Sequence, residues 1–281
     1  MRPDWLKVKL PAGREFLQIK NVLSKRKLHT VCEEAVCPNI GECFGRGTAT
    51  FLILGDVCTR ECGFCAVKKG HPSSVDRDEP RRIADAIMEM KLNYAVITSV
   101  TRDDLPDGGA SLYAHTIQSV RKRCRDCKVE VLIPDFAGSS SALETVIQAN
   151  PDVLNHNIET VPRLYPRVRP FANYERSLAV LRNARKRGDF LTTKSGLMVG
   201  LGETWDELLH TMRDISDTGC DMLTLGQYLS PKKYALPIYR YYTPVEFDRL
   251  RLEGQRIGFK QVESGPLVRS SYYAERRVRH G

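Results

Sequence analysis

Asp56–Lys69 reads DVCTRECGFCAVKK, and its three cysteines, Cys58, Cys62 and Cys65, stand in a C-x3-C-x2-C spacing. A disulfide cannot use all three. Thiolates this close in sequence can converge on one soft metal centre from a single loop, with Gly63 leaving the backbone free to curl. Zinc would need a fourth ligand, for which His71 is the nearest candidate, and structural zinc sites usually repeat C-x2-C pairs. A four-iron cluster accommodates three protein ligands and leaves one iron open to chelate another group and pass it an electron.

A second trio lies just upstream. Cys32, Cys37 and Cys43, in CEEAVCPNIGEC, have a C-x4-C-x5-C spacing, and Pro38 and Gly41 turn the chain between them. Thiols that merely pack, a zinc knob with a borrowed ligand and a second iron–sulfur cluster are the three readings. Two trios within 34 residues favour the last. Nine cysteines in a chain that begins without a signal-peptide core argue for metal or redox chemistry over a disulfide framework. Cys124 and Cys127 form C-x2-C in a basic link between helix and strand, and read as incidental. Cys220 reads as a core thiol.

With Phe64 in the aromatic place, the Cys58 loop resembles the C-x3-C-x-aromatic-C signature of the radical S-adenosylmethionine enzymes. The resemblance implies that the open iron binds the amino and carboxylate groups of S-adenosylmethionine, and that an electron cleaves the sulfonium to release a 5′-deoxyadenosyl radical. The protein's part is then to position the cofactor and exclude side reactions.

The added Cys32 trio makes the chain similar to the lipoyl synthases within that superfamily. DWLKVKLP, ITSVTRDDLPDGGA, LNHNIETV, TKSGLMVGLGE, TLGQYL and SGPLVRSSY carry the likeness from Asp4 to Tyr272. It implies two [4Fe-4S] clusters, one held by Cys58, Cys62 and Cys65. The other takes Cys32, Cys37, Cys43 and the serine of RSSY that maps to Ser271, with Ser270 as the alternative. Alkoxide is a harder ligand than thiolate, so an iron held by serine should be the easiest to release, and the sulfide of such a cluster can serve as substrate. The implied reaction inserts sulfur at carbons 6 and 8 of an octanoyl chain on a lysine of a lipoyl carrier domain. That carrier is the acyltransferase subunit of a 2-oxoacid dehydrogenase or a glycine-cleavage H protein. Two molecules of S-adenosylmethionine and an external electron donor are consumed per product. The chain departs from the family pattern after TLGQYL, where SPKKYALP has Ala235 in place of a histidine. Two rival classes stand beside this reading: a tRNA methylthiotransferase, which resembles longer chains, and a two-cluster electron carrier, which needs no open iron.

The rest of the chain supplies a scaffold. At 281 residues, with 42% hydrophobic and 27% charged, it has the composition of a globular chain and no run long enough for a membrane span. That points to a cytoplasmic protein, or one of an organelle matrix after loss of a transit peptide, and the family resemblance implies that it acts on neither membrane nor nucleic acid. Apolar β-rich runs at Thr50–Leu54, Tyr94–Val100, Lys128–Ile133, Asp152–Ile158, Thr192–Val199 and Met222–Leu229 alternate with helix patterns such as Pro80–Met90 and Tyr174–Arg187. Six βα repeats predict a parallel sheet, and the fold expected is a partial (β/α)6 barrel over 48–265. Residues 1–47 form an N-terminal extension with the second cysteine trio, and 266–281 a C-terminal segment with RSSY and a basic tail. Sites in such folds gather at the C-terminal ends of strands. There the family resemblance makes Ser99, at the head of the Ser99–Gly109 stretch, a contact for the methionine end of S-adenosylmethionine. Asn157 and Glu159, two apart on one strand face, are placed to hold ribose hydroxyls, and Lys194 to meet a carboxylate. The net charge of +9 concentrates at Arg121–Lys128, Arg182–Arg187 and Glu275–His280, which read as solvated faces or as a surface for an acidic partner.

Overall fold

Runs rich in branched aliphatic residues form strands whose every residue is buried, such as Thr50–Ile53, as a parallel sheet covered by helices requires. The computed structural model describes residues 3–7, 13–35, 37–45, 49–187, 191–231 and 235–271. Two compact units result. Of the described residues, the first contains 13–60 and Val67–Val153; the second contains 3–7, Glu61–Ala66 and 154–271.

In the first unit, α1 (Arg14–Lys25) precedes β1 (His29–Thr30), α2 (Val31–Glu34) and α3 (Ile40–Gly45). β2 (Thr50–Ile53) runs into the cysteine loop, which is flanked by the two-residue parallel pair β3 (Val57–Cys58) and β4 (Lys68–Lys69). Then come α4 (Glu79–Glu89), β5 (Tyr94–Ser99), α5 (Ala110–Arg123), β6 (Lys128–Leu132) and α6 (Ser140–Gln148). β2, β5 and β6 are parallel neighbours, and β1 adds antiparallel to the free edge of β2.

The second unit orders β7 (Val153–Asn155), β8 (Thr192–Val199), β9 (Met222–Gln227) and β10 (Gln261–Gly265) in sequence, with β8, β9 and β10 parallel. Helices α7 (Tyr165–Val168), α8 (Tyr174–Lys186), α9 (Trp205–Asp217) and α10 (Pro244–Ile257) lie between them in the chain. Both α9 and α10 open on complete capping boxes, Thr204 with Glu207 and Thr243 with Glu246, which satisfy backbone donors that a helix start leaves unpaired. Their apolar faces, including Leu208, Met212, Phe247 and Leu250, bury against Leu197, Leu223 and Leu225 of the strands. Along the chain, β2 and β5 to β9 are each followed by a helix, and β10 ends the series. This is the connectivity of the partial (β/α)6 barrel expected. No helix among the described residues is long and apolar enough to cross a membrane.

The exit of β2 is strained and clamped. Leu54 and Gly55 both have positive φ, 70° and 90°, a conformation that costs a non-glycine residue about 1–2 kcal/mol. The Leu54 amide donates to the buried Glu79 carboxylate at 2.9 Å, and Arg102 donates to the Leu54 carbonyl at 3.4 Å. Gly109, itself at φ 90°, packs against the same residue: a Cβ there would stand 2.3 Å from Leu54 Cδ1. Gly109→Ala therefore combines a disfavoured backbone with overpacking, and should lower stability by about 1–3 kcal/mol, read as a fall in the urea midpoint.

Candidate functional site

All nine cysteines are free thiols, so neither trio is spent in a disulfide. Cys58 closes β3, and its sulfur accepts backbone N–H groups from Arg60 at 3.4 Å and Thr101 at 3.3 Å. Cys62 and Cys65 belong to the second unit, in a turn closed by the Cys65 amide on the Cys62 carbonyl at 3.2 Å. Phe64 packs on that unit's core.

Gly63 serves this turn for a reason different from the one expected. It lacks the positive φ that backbone freedom would explain, and instead its Cα is crowded: a Cβ would meet Leu236 Cγ at 2.8 Å. The Leu236 amide also donates to the Gly63 carbonyl at 3.2 Å, so the segment that departs from the family pattern at Ala235 braces the cysteine turn.

Cys32 lies in α2 and Cys43 in α3, with the Cys37 amide donating to the Cys32 carbonyl at 3.1 Å. Burial pushes the Cys32 thiol up to about 12, and the nearby Cys37 adds to the shift. A buried thiol facing a second thiol ionises readily only with a positive charge between them, which is what a metal cluster provides. Both trios thus fit iron–sulfur ligation in donor chemistry. His29, Glu34 and Asp56 also bring donor atoms within 4.8 Å of one another. There the Lys68 ammonium already sits on Asp56 and holds its carboxyl below the usual range, so the group reads as an ion network.

Arg60, between Cys58 and Cys62, is the residue that sequence reasoning missed. Its guanidinium is 6% exposed and donates to both Asp103 oxygens at 2.7 Å and to the fully buried Asp135 at 2.6 Å. Burial works against its charge, but the two carboxylates outweigh that and raise its pKa. The signal was an arginine inside the cysteine motif and the aspartate pair of TRDD. The other acids of TRDDLPDGGA also have partners: Asp104 pairs with Arg102, and Asp107 accepts from the amides of Gly109 and Ser111. Ser99 ends β5, where its hydroxyl accepts from Tyr113 at 3.0 Å.

Asn157 and Glu159 are neighbours, though no strand holds them. β7 stops at Asn155, and Glu159 has φ 70°, so the alternation of a strand does not continue past it. The two side chains meet because Asn157 Nδ2 donates to Glu159 Oε1 at 3.1 Å. Burial raises the Glu159 pKa against the pull of Arg169 and Asn157. Asn157 Oδ1 is a buried acceptor without a hydrogen-bond partner among the described residues. Lys194 on β8 is wholly buried. Ser270 Oγ accepts from Asn157 Nδ2 at 2.7 Å, whereas no hydrogen bond reaches the Ser271 hydroxyl among the described residues.

Cys124 and Cys127 face each other across the turn after α5, and burial pushes Cys127 up to about 12. Cys124→Ser with Cys127→Ser should leave iron content after anaerobic reconstitution unchanged, and a loss of iron would assign them a cluster. Within the basic runs, Arg121 and Lys128 pair with Asp152, Arg123 with Asp85 and Arg185 with Asp221. The tail at Glu275–His280 lies outside the described residues.

Residues 52–215 match the family model of the radical SAM superfamily, and residues 1–37 match that of the N-terminal domain of lipoyl synthase. Solved structures agree on the fold. Methylornithine synthase superposes with a TM-score of 0.50 at 14% identity, covering 90% of this chain and 80% of that one. Streptococcus suis SuiB bound to S-adenosylmethionine superposes with a TM-score of 0.60 at 12% identity, covering 82% of this chain and 55% of that one. The fold and the three-cysteine loop are therefore those of a radical SAM protein. The curated lipoyl synthase of Rubrobacter xylanophilus is 58% identical over 99% of this chain and 86% of its own length. That of Roseiflexus sp. is 54% identical over 99% and 92%. The chain belongs to the lipoyl synthase family.

Proposed function

We propose that this protein makes the lipoyl group by inserting sulfur at carbons 6 and 8 of an octanoyl chain borne on a lysine of a carrier domain. The observation that carries the reading is identity above half to lipoyl synthases along nearly the whole chain. When bound, the two clusters and S-adenosylmethionine supply the electron, the 5′-deoxyadenosyl radical and the sulfur. Cys58, Cys62 and Cys65 hold the radical-generating cluster, and Arg60 fixes their loop through Asp103 and Asp135. Cys32, Cys37, Cys43 and Ser271 hold the sacrificial one. Ser99, Asn157, Glu159 and Lys194 are the candidate contacts for S-adenosylmethionine; the unpartnered Asn157 Oδ1 suits a ribose hydroxyl, which needs an acceptor.

In this reading 1–47 and 266–281 are extensions that bring the auxiliary ligands to a barrel at 48–265. The carrier is an acyltransferase subunit or a glycine-cleavage H protein, and the reaction takes place in the cytoplasm or an organelle matrix with an external reductant. The test is anaerobic reconstitution with iron and sulfide, followed by reaction with an octanoylated carrier peptide. Mass spectrometry should show a product that has gained two sulfurs, with two 5′-deoxyadenosines released per lipoyl group. Cleavage of S-adenosylmethionine without sulfur in the peptide would sink the assignment.

A further inference from the structure

The chain from Leu267 to Ser271 rests on the second unit in a trough that two glycines leave open. Gly226 of β9 lies so close to the Val268 carbonyl that a Cβ would stand 2.1 Å from that oxygen, and a Cβ on Gly265 of β10 would stand 3.2 Å from Val268 Cγ2. The Val268 amide donates to the Gly265 carbonyl at 3.1 Å. Past this point Asn157 Nδ2 donates to Ser270 Oγ at 2.7 Å.

Asn157 is a stiff anchor. It is 8% exposed, its carbonyl accepts from Arg169 at 2.9 Å, and its Nδ2 also donates to Glu159. Gly196 admits its amide at a distance where a Cβ would meet Oδ1 at 2.8 Å. One residue on, the hydroxyl of Ser271 makes no such bond among the described residues.

We propose that Ser270 is a positioning residue for sulfur delivery. Its hydrogen bond with Asn157 latches the terminal segment and thereby presents the Ser271 hydroxyl as an iron ligand. The inference rests on the proposed ligation by Ser271. The two serines of RSSY then divide the work, one as latch and one as ligand. Groups that orient a metal ligand without touching the metal commonly govern about 10–100-fold in affinity, so losing the latch should weaken the serine–iron bond without removing it. A hydroxyl of either serine or threonine can accept from Asn157.

The experiment uses the full chain with Cys58, Cys62 and Cys65 replaced by alanine, so that only the auxiliary cluster forms. Iron release to an added chelator and the electron paramagnetic resonance spectrum of the reduced cluster are compared for Ser270→Ala, Ser270→Thr and Ser271→Ala. Ser270→Ala should release its first iron about tenfold faster than the parent with an altered spectrum, and Ser270→Thr should restore both. Fast release from Ser271→Ala together with parental behaviour of Ser270→Ala overturns the latch while sparing the ligand assignment. Parental behaviour of Ser271→Ala overturns the assignment itself, and the latch with it. A fold defect alone would not be rescued in spectrum and release rate by threonine.

Discussion

Alanine at Cys58, Cys62 and Cys65 together abolishes reductive cleavage of S-adenosylmethionine and leaves about four of roughly eight irons per chain. The loss is specific because the trios are separate in sequence and in local structure. Cys58 is held by amides of its own loop and of Thr101, whereas Cys32, Cys37 and Cys43 are set by α2, α3 and the turn between them. Iron analysis and 5′-deoxyadenosine release check the result. Complete loss of iron would mean that one cluster is needed to assemble the other, and unchanged iron would move the radical cluster elsewhere.

Arg60→Ala should be milder in iron and still severe in turnover. It leaves three thiols able to ligate but removes the cation that binds Asp103 and Asp135. Deleting one partner of a buried ion pair commonly costs about 3–5 kcal/mol, and here the Asp135 carboxylate would stay buried without its cation. Asp135 is wholly buried and has the more to lose.

Local signals were legible in the sequence. Thr192–Val199 begins and ends where its apolar run does, and the helix patterns at Pro80–Met90 and Tyr174–Arg187 appear within a residue as α4 and α8. Strand β10 and the two-residue β1 were not legible. Gln261–Gly265 is polar at alternate positions and ends in glycine, and β1 is too short for any period, so both depend on pairing with a partner strand. Long-range pairing also explains the site contacts that were missed. Arg60 and Asp135 are 75 positions apart, and Asn157 and Ser270 are 113 apart. Asn157 and Glu159 were placed together on the supposition of a strand, whereas a left-handed residue and a side-chain hydrogen bond bring them together. Gly63 shows the same limit: the sequence shows a glycine, but only the packed chain shows that Leu236 fills the place of its side chain.

Ser271→Ala should separate radical formation from sulfur delivery. The substitution removes a hydroxyl and leaves six thiols untouched, so cleavage of S-adenosylmethionine persists. The octanoyl chain can still lose hydrogen, and 5′-deoxyadenosine accumulates while lipoyl product falls by on the order of a hundredfold or more. Ser271→Cys sets the opposite condition. Thiolate is the softer ligand and suits iron better, so the auxiliary cluster should resist chelators while surrendering its sulfide more slowly. The pair of variants therefore moves cluster stability in opposite directions while both depress product. That pattern is peculiar to a ligand whose weakness is useful, because a residue needed only for folding would lose cluster and product together in both. Product at the parental rate from the alanine variant would show that the fourth ligand is another group, and the link between a hard ligand and a cluster that gives up sulfur would fail.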